Sequence, residues 1–257
     1  MGMRNSRHPV RDILVRGLFL SLSMVGTLWS LIVLPSSWQS VLAREISMRI
    51  TADDRFKPGV LDEVLSYLRS TAPATIMRSE LPHAEALIAM RVAEDATKLR
   101  SSEEADREVA AAERELRAVL AIKPTESFFW LMLYSLLVTR NGFDQEAIRF
   151  LDRSYLLGPN EGWIALRRNR LALAVFPMLG VSTQQLVVSE FAGLVDSGFV
   201  EDAAINLTAV GWKYRAALLA GLSRTKKTSR EALAKRLARE NVSVDIPGIN
   251  ALPKARW

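Results

Sequence analysis

A chain of 257 residues with 49 % apolar content can bury a sizeable core, which excludes general disorder, and it is long enough for one large domain or a repeat array. Ala and Leu lead the apolar set while Gly and Pro are sparse, which favours helix over sheet; the absence of cysteine excludes disulfides, thiolate metal sites and a cysteine nucleophile. The net charge of +6 resides in the two ends: residues 17–223 carry 21 basic and 24 acidic side chains, so the body lacks the basic stripe of a nucleic-acid-binding domain and no nucleic-acid partner is expected.

Taken in chain order, residues 1–12 form a basic stub, with Arg4, Arg7 and Arg11 against Asp12 and with Arg16 close behind. From Gly17 to Leu34 eighteen residues pass without a charge, and Ile13-Leu14-Val15 extends the run to spanning length. Residues 13–34 are therefore expected to form a transmembrane anchor. The arginine cluster should stay cytoplasmic, placing later residues in the periplasm of a bacterial cell as a single-pass inner-membrane protein. The alternative is a cleaved signal peptide ending at Val41-Leu42-Ala43, against which stand the long apolar run and the long leading segment.

Residues 35–57 read as a juxtamembrane helix and linker: Pro35 and Ser36-Ser37 break the helix, Trp38–Ile50 shows helical spacing, and TADDRFKPG is a polar break in which Pro58 can begin a helix. A helical domain is expected over 58–223. Val60, Leu61, Val64, Leu65 and Leu68 form the stripe of its first helix, to Ser70. Ser79 to Pro82 opens the next, to about Arg100, and Ser102 caps another that stops at Ile122 before Pro124. Helices then follow at 125–140, 143–157, 160–176, 182–197, 200–209 and 210–223, separated by Asn141-Gly142, Gly158-Pro159-Asn160, Pro177 with Gly180, and Ser197-Gly198. Residues 224–257 form a basic helix and tail with nine Lys and Arg against Glu231, Glu240 and Asp245. Thr228-Ser229-Arg230-Glu231 reads as its capping box. A terminal capping role suits this helix, with docking on anionic lipid headgroups as the alternative.

Comparing 112–126 with 147–161 matches Ala112 with Ala147, Leu116 with Leu151, Pro124 with Pro159 and Glu126 with Glu161, at an offset of 35. Trp130, Leu133 and Leu137 continue the pattern through the following helix. These residues resemble the tetratricopeptide repeat, in which a small residue lets two helices approach, a bulky one fills the groove and a proline ends the unit. Tyr134, Val119 and Ser154 depart from it, and the specific resemblance covers about 112–162. It implies an all-α fold, a right-handed array of antiparallel helix hairpins, and a surface that binds other proteins.

The catalytic inventory is thin. His8 lies in the stub and His83 at a helix start, no cluster has metal-ligand spacing, and Gly158–Gly162 lacks the lysine and strand of a phosphate loop. Asp53-Asp54, Glu103-Glu104 and Glu201-Asp202 sit at or near expected helix starts, where they complement the helix dipole. No catalytic, cofactor-binding or metal-binding residue is assigned. The candidate partner-binding residues are Arg167, Arg168 and Arg170, a basic cluster that would face an acidic peptide or anionic glycan. The expected function is a membrane-anchored, periplasm-facing scaffold of a bacterial envelope assembly, such as one that makes or exports surface polysaccharide, with other envelope proteins as partners. A periplasmic enzyme whose carboxylates meet only in the fold, glycan-active for example, is the alternative, as is a cleaved soluble adaptor.

Overall fold

The computed structural model describes residues 9–51, 54, 56–57, 59–70, 80–159 and 161–249, excluding the side chains of 9–15, 31–40, 51, 80 and 81. His8, Asp53, Pro58, Ser79, Asn160 and the end of the tail lie outside the described residues. Within them all regular structure is helical, as expected, and no strand occurs. The chain divides into two compact units, 1–101 and 102–257.

The first unit contains α1 (Pro9–Thr51), α2 (Val60–Ser70) and α3 (Glu80–Leu99). The helix break expected at Pro35 does not occur: the backbone is helical from Pro9 through Thr51. Proline removes one backbone donor and costs a helix interior about 3 kcal/mol, and the helix-favouring runs on both sides carry the backbone across it. The end of α1 and all of α2 pack on α3. Ala43, Ile46 and Ile50 are buried at helical spacing on α1, and Leu61, Leu65 and Leu68 on α2. Because α3 is covered by both, its buried residues run nearly all round: Ala84, Ala86 to Met90, Val92, Ala93 and Ala96. Its alanines let the neighbouring helices approach closely. Arg100 meets Asp62 at 2.6 Å, a partly exposed pair that contributes at most about 1 kcal/mol. Asp54, expected near a helix start, follows the end of α1 and pairs with Arg49 at 3.2 Å.

The described side chains in the first part of α1, residues 16–30, are all exposed, among them Leu18, Phe19, Leu20, Leu22, Met24, Val25, Leu28 and Trp29. Ser21 and Thr27 turn their hydroxyls back onto the carbonyls of Leu18 and Ser23 at 2.9 and 2.8 Å. Among the described residues no helix is long and apolar enough to cross a membrane. The expected span 13–34 extends at both ends onto residues whose side chains lie outside the description.

The second unit comprises α4 (Ser102–Ile122), α5 (Ser127–Asn141), α6 (Gln145–Leu157), α7 (Gly162–Ala174), α8 (Val181–Asp196), α9 (Val200–Thr208), α10 (Arg215–Gly221) and α11 (Lys227–Arg239). α4 packs on α5, α5 on α6, α7 on α8 and α8 on α9, while α5 also meets α7, α6 meets α8, α7 meets α9, and α8 meets α10 and α11. The matched positions Ala112, Leu116, Ala147 and Leu151 are buried, as is Leu133; Leu137 is half-buried, and Pro124 and Pro159 are exposed at the turns. Trp130 donates its indole N–H to the Pro124 carbonyl at 2.8 Å and stacks on Phe150 with centroids 5.8 Å apart, locking the start of α5 onto α6. Asp144 caps α6 by accepting from the Glu146 amide at 2.9 Å.

Two expectations fail locally. The single helix at 210–223 is instead α10 flanked by 3₁₀ turns at Trp212–Tyr214 and Leu222–Arg224. The chain bends at Gly211, where a Cβ would lie 2.7 Å from the Asn206 carbonyl oxygen. Nor does Thr228 cap the last helix: α11 begins at Lys227, and Asp196 at the end of α8 accepts from the Lys226 amide at 2.9 Å, which holds the Asp196 carboxyl below its usual range. Leu233 and Leu237, the apolar side of α11, are buried where it packs on α8 and α9.

Candidate functional site

On α7 the buried residues are Ile164, Ala165, Arg168, Asn169, Ala172 and Leu173, paired positions recurring every four residues, which is one helical stripe. Trp163, Arg167 and Arg170 lie on the exposed side. The basic cluster read from the sequence is therefore divided: Arg167 and Arg170 stay outside, and Arg168, expected at a groove rim, is fully buried.

Every donor direction of the Arg168 guanidinium is used. Nε and Nη2 donate to Glu190 Oε1 at 2.9 and 2.5 Å, and Nη2 also donates to the Gly158 carbonyl at 2.8 Å. Nη1 donates to the Ser154 carbonyl at 2.7 Å and lies 3.1 Å from the hydroxyls of Ser127 and Ser154. The guanidinium carbon sits 4.3 Å from the centre of the Tyr155 ring, and the Tyr155 hydroxyl donates to Glu190 Oε2 at 2.6 Å. Asn169 donates to the Val187 carbonyl at 3.0 Å and accepts from Asn206 at 3.3 Å. One charge pair and its hydrogen bonds thus join α5, α6, α7, α8 and α9.

Burial dominates the electrostatics. It raises the Glu190 carboxyl above its ordinary value, with the attraction of Arg168 opposing it. Burial and the neighbouring Glu190 charge push the Tyr155 hydroxyl well above its ordinary value, so it remains a neutral donor far into the alkaline range. Arg168, Ser154, Ser127, Tyr155 and Glu190 are all buried. The arrangement ties the helices that supply its residues to one another.

It also supports a surface. Ser127 immediately precedes Phe128 at the start of α5, and Gly158 heads the loop to Trp163 at the start of α7. Gly158 is required by close approach: an added Cβ would lie 2.5 Å from the Ser127 side chain. Above this anchorage the rings of Phe128 and Trp163 meet with centroids 4.7 Å apart. Phe199, at the start of α9, places its ring edge 4.0 Å from where a Gly162 Cβ would be. Three successive alternate helices therefore begin with an aromatic residue in one row, in which Trp163 is 49 % and Phe199 38 % exposed.

Of the remaining sequence candidates, Glu201 and Asp202 follow Phe199 by two and three residues. His83 is half-buried on α3 in the other unit, Glu103 and Glu104 lie in the first turn of α4, and Glu201 and Asp202 in that of α9. Among the described residues no group of three or more His, Asp or Glu is placed to hold a metal ion. No family model, no curated protein and no solved structure matches the chain.

Proposed function

We propose that the chain is a membrane-anchored interaction protein, a tetratricopeptide-like helical array whose row of aromatic helix starts binds another envelope protein. The observation that carries this reading is the row of half-buried Phe128 with exposed Trp163 and Phe199, held from below by the Arg168 network. The packing of α5 on α6, α7 and α4, and of α7 on α8 and α9, supports the repeat reading, because stacked hairpins build an extended face. The buried small residues Ala112 and Ala147 support it as well. Arg167 and Arg170 share the outward face of α7 with Trp163 and extend the contact toward acidic groups of the partner. The anchor rests on the uncharged run from Gly17 to Leu34, on the exposed apolar side chains of residues 16–30, and on hydroxyls there that bond within the helix as a lipid environment requires. With arginines before the run and few after it, the units that follow lie on the periplasmic side of the inner membrane. An envelope assembly that makes or exports surface polysaccharide is a setting this layout suits. The enzyme reading has no accessible acid–base constellation among the described residues to support it.

The test is a photo-crosslinking residue placed at position 163 in the full chain within intact cells. The expected result is a discrete adduct with another envelope protein, absent when the crosslinker is placed at exposed Lys235 on α11. Equal, diffuse labelling from both positions would contradict the proposal.

A further inference from the structure

The helices α7 and α9, whose starts carry Trp163 and Phe199, end in the connections to α8 and α10. The rings of Phe176 and Tyr214 bring these two connections together, with centroids 4.6 Å apart. The Gln184 side chain donates to the Phe176 and Leu179 carbonyls at 3.0 Å, folding the first connection over the start of α8. Around this contact the outward residues are apolar or cationic. Met178 and Val181 are 54 % and 72 % exposed, more than any ring of the aromatic row. On the second connection Trp212 is exposed, with the Arg215 guanidinium carbon 4.8 Å from its ring centre and Arg215 Nη1 donating to its carbonyl at 3.0 Å. Lys213 between them is exposed and has no ion pair among the described residues.

Neither connection carries a carboxylate. The sequence has no acidic residue from Gly162 to Ser189 or from Ala203 to Arg230. Glu190 is buried against Arg168, Asp196 lies 3.9 Å from Lys226, Glu231 3.9 Å from Lys227, and Glu201 and Glu240 share Arg236. Asp202 sits in the first turn of α9, at the other end of that helix, and Asp245 follows α11. In the preceding connection, from α5 to α6, Asp144 caps α6, Glu146 pairs with Arg149 at 3.5 Å, and Arg140 pairs with Glu113 at 3.3 Å. Arg170, exposed about one turn before the end of α7, joins Lys213 and Arg215. Each connection joins a helix C-terminus to a helix N-terminus, whose partial charges of roughly −0.5 and +0.5 offset each other. With Asp144 counted, cations still exceed carboxylates at this end of the helices.

We infer that this end is a lipid contact, where Trp212, Met178 and Val181 enter the headgroup layer of a bilayer and Lys213 and Arg215 hold anionic phosphates. An amphipathic indole, apolar side chains without cover and cations without neighbouring carboxylates are what an anionic bilayer surface takes up. The basic helix α11 has its apolar side buried against α8 and α9, so it has charge to offer a membrane but nothing to insert. The inference rests neither on the aromatic row nor on the anchor.

The chain has no cysteine, so Met178→Cys carries a single polarity-sensitive fluorophore on the otherwise unchanged full chain. The labelled protein is reconstituted with vesicles of phosphatidylcholine alone or of an equimolar mixture with phosphatidylglycerol. In the mixture only, the label is expected to shift to the blue, to be quenched by nitroxide-bearing lipid, and to revert as salt rises. Lys213→Gln with Arg215→Gln is expected to lower the ratio of docked to free label about twenty-five-fold, roughly fivefold for each cation. Trp212→Ala is expected to weaken docking severalfold and to leave its salt dependence in place. Helicity is expected to hold, since every replaced side chain is exposed. The same label on Lys235→Cys in α11 is expected to stay in water with both lipids. An equal response to the two lipids, a response at position 235 in place of 178, or indifference to the two cation changes would overturn the inference. A label that responds to a glutamate-rich peptide but not to the mixed vesicles would overturn it in favour of an acidic protein partner. Flotation with phosphatidylcholine vesicles through an alkaline wash measures the anchor by itself. Its failure leaves the lipid contact standing, and a silent label on a floated chain removes the lipid contact alone.

Discussion

Arg168→Ala is expected to destabilise the second unit by about 3–5 kcal/mol, the range for breaking a buried pair by removing one partner. The variant leaves Glu190 buried without its counter-charge and takes a donor from the Gly158 and Ser154 carbonyls at once. Arg168→Lys should recover only part of this, because one ammonium cannot serve the carboxylate and both carbonyls in the planar fork that guanidinium provides. Replacing the pair together, Arg168→Met with Glu190→Leu, is expected to come closer to wild type than either single change, since no isolated charge remains. Denaturant unfolding of wild type, Arg168→Met, Glu190→Leu and the double variant measures this as a double-mutant cycle. An unchanged midpoint for Arg168→Ala would show that the network contributes nothing to the array.

Ala147→Arg should have an effect of similar size by a different route. Ala147 is 2 % exposed on α6, which packs along α5. A guanidinium forced into that contact has to be desolvated without a partner or has to push the helices apart, at a cost of several kcal/mol. Leu156→Arg on the exposed side of the same helix serves as the control, within about 0.5 kcal/mol of wild type. Thermal melting of the full chain distinguishes them. Equal melting temperatures would remove Ala147 from the helix interface and with it the repeat alignment.

The helical rhythm from Val60 onward was legible because its breaks carry strong turn residues. Gly142, for example, adopts a positive φ of 74° where Asn141-Gly142 had marked a stop. Pro35 and Ser36-Ser37 carry the local signal of a helix break, which the helix-formers on either side override. Thr228 misled because the group that receives the start of α11 is Asp196, thirty residues earlier, which no local motif reveals. The buried Arg168 was masked by its neighbours: three arginines in four positions look like a solvated face. The pairs Ile164-Ala165 and Ala172-Leu173 nevertheless place 168 and 169 on the inward stripe. Glu190 left a similar trace, a charge on the apolar stripe of Val187, Phe191, Leu194 and Val195. Tyr155, Ser127 and Asn206 had no such signal, because each is polar in a way that suits a surface equally well. The row could have been glimpsed, since Phe128 and Trp163 are separated by the same 35 residues as Pro124 and Pro159. Phe199 joins it only through the packing of α7 against α9.

The anchoring of the chain, on which the reading of a membrane-confined binding surface depends, is tested most directly by a reporter fused after Trp257 in the full chain. Four arginines precede Gly17, and Arg44 and Arg49 are the only ones from there to Thr51. A reporter active only outside the cytoplasm is therefore expected to function at that position. The fusion is expected to stay in the membrane fraction through alkaline extraction and to keep its original N-terminus. Activity from a cytoplasm-only reporter, or release of the fusion by alkali, would contradict the account.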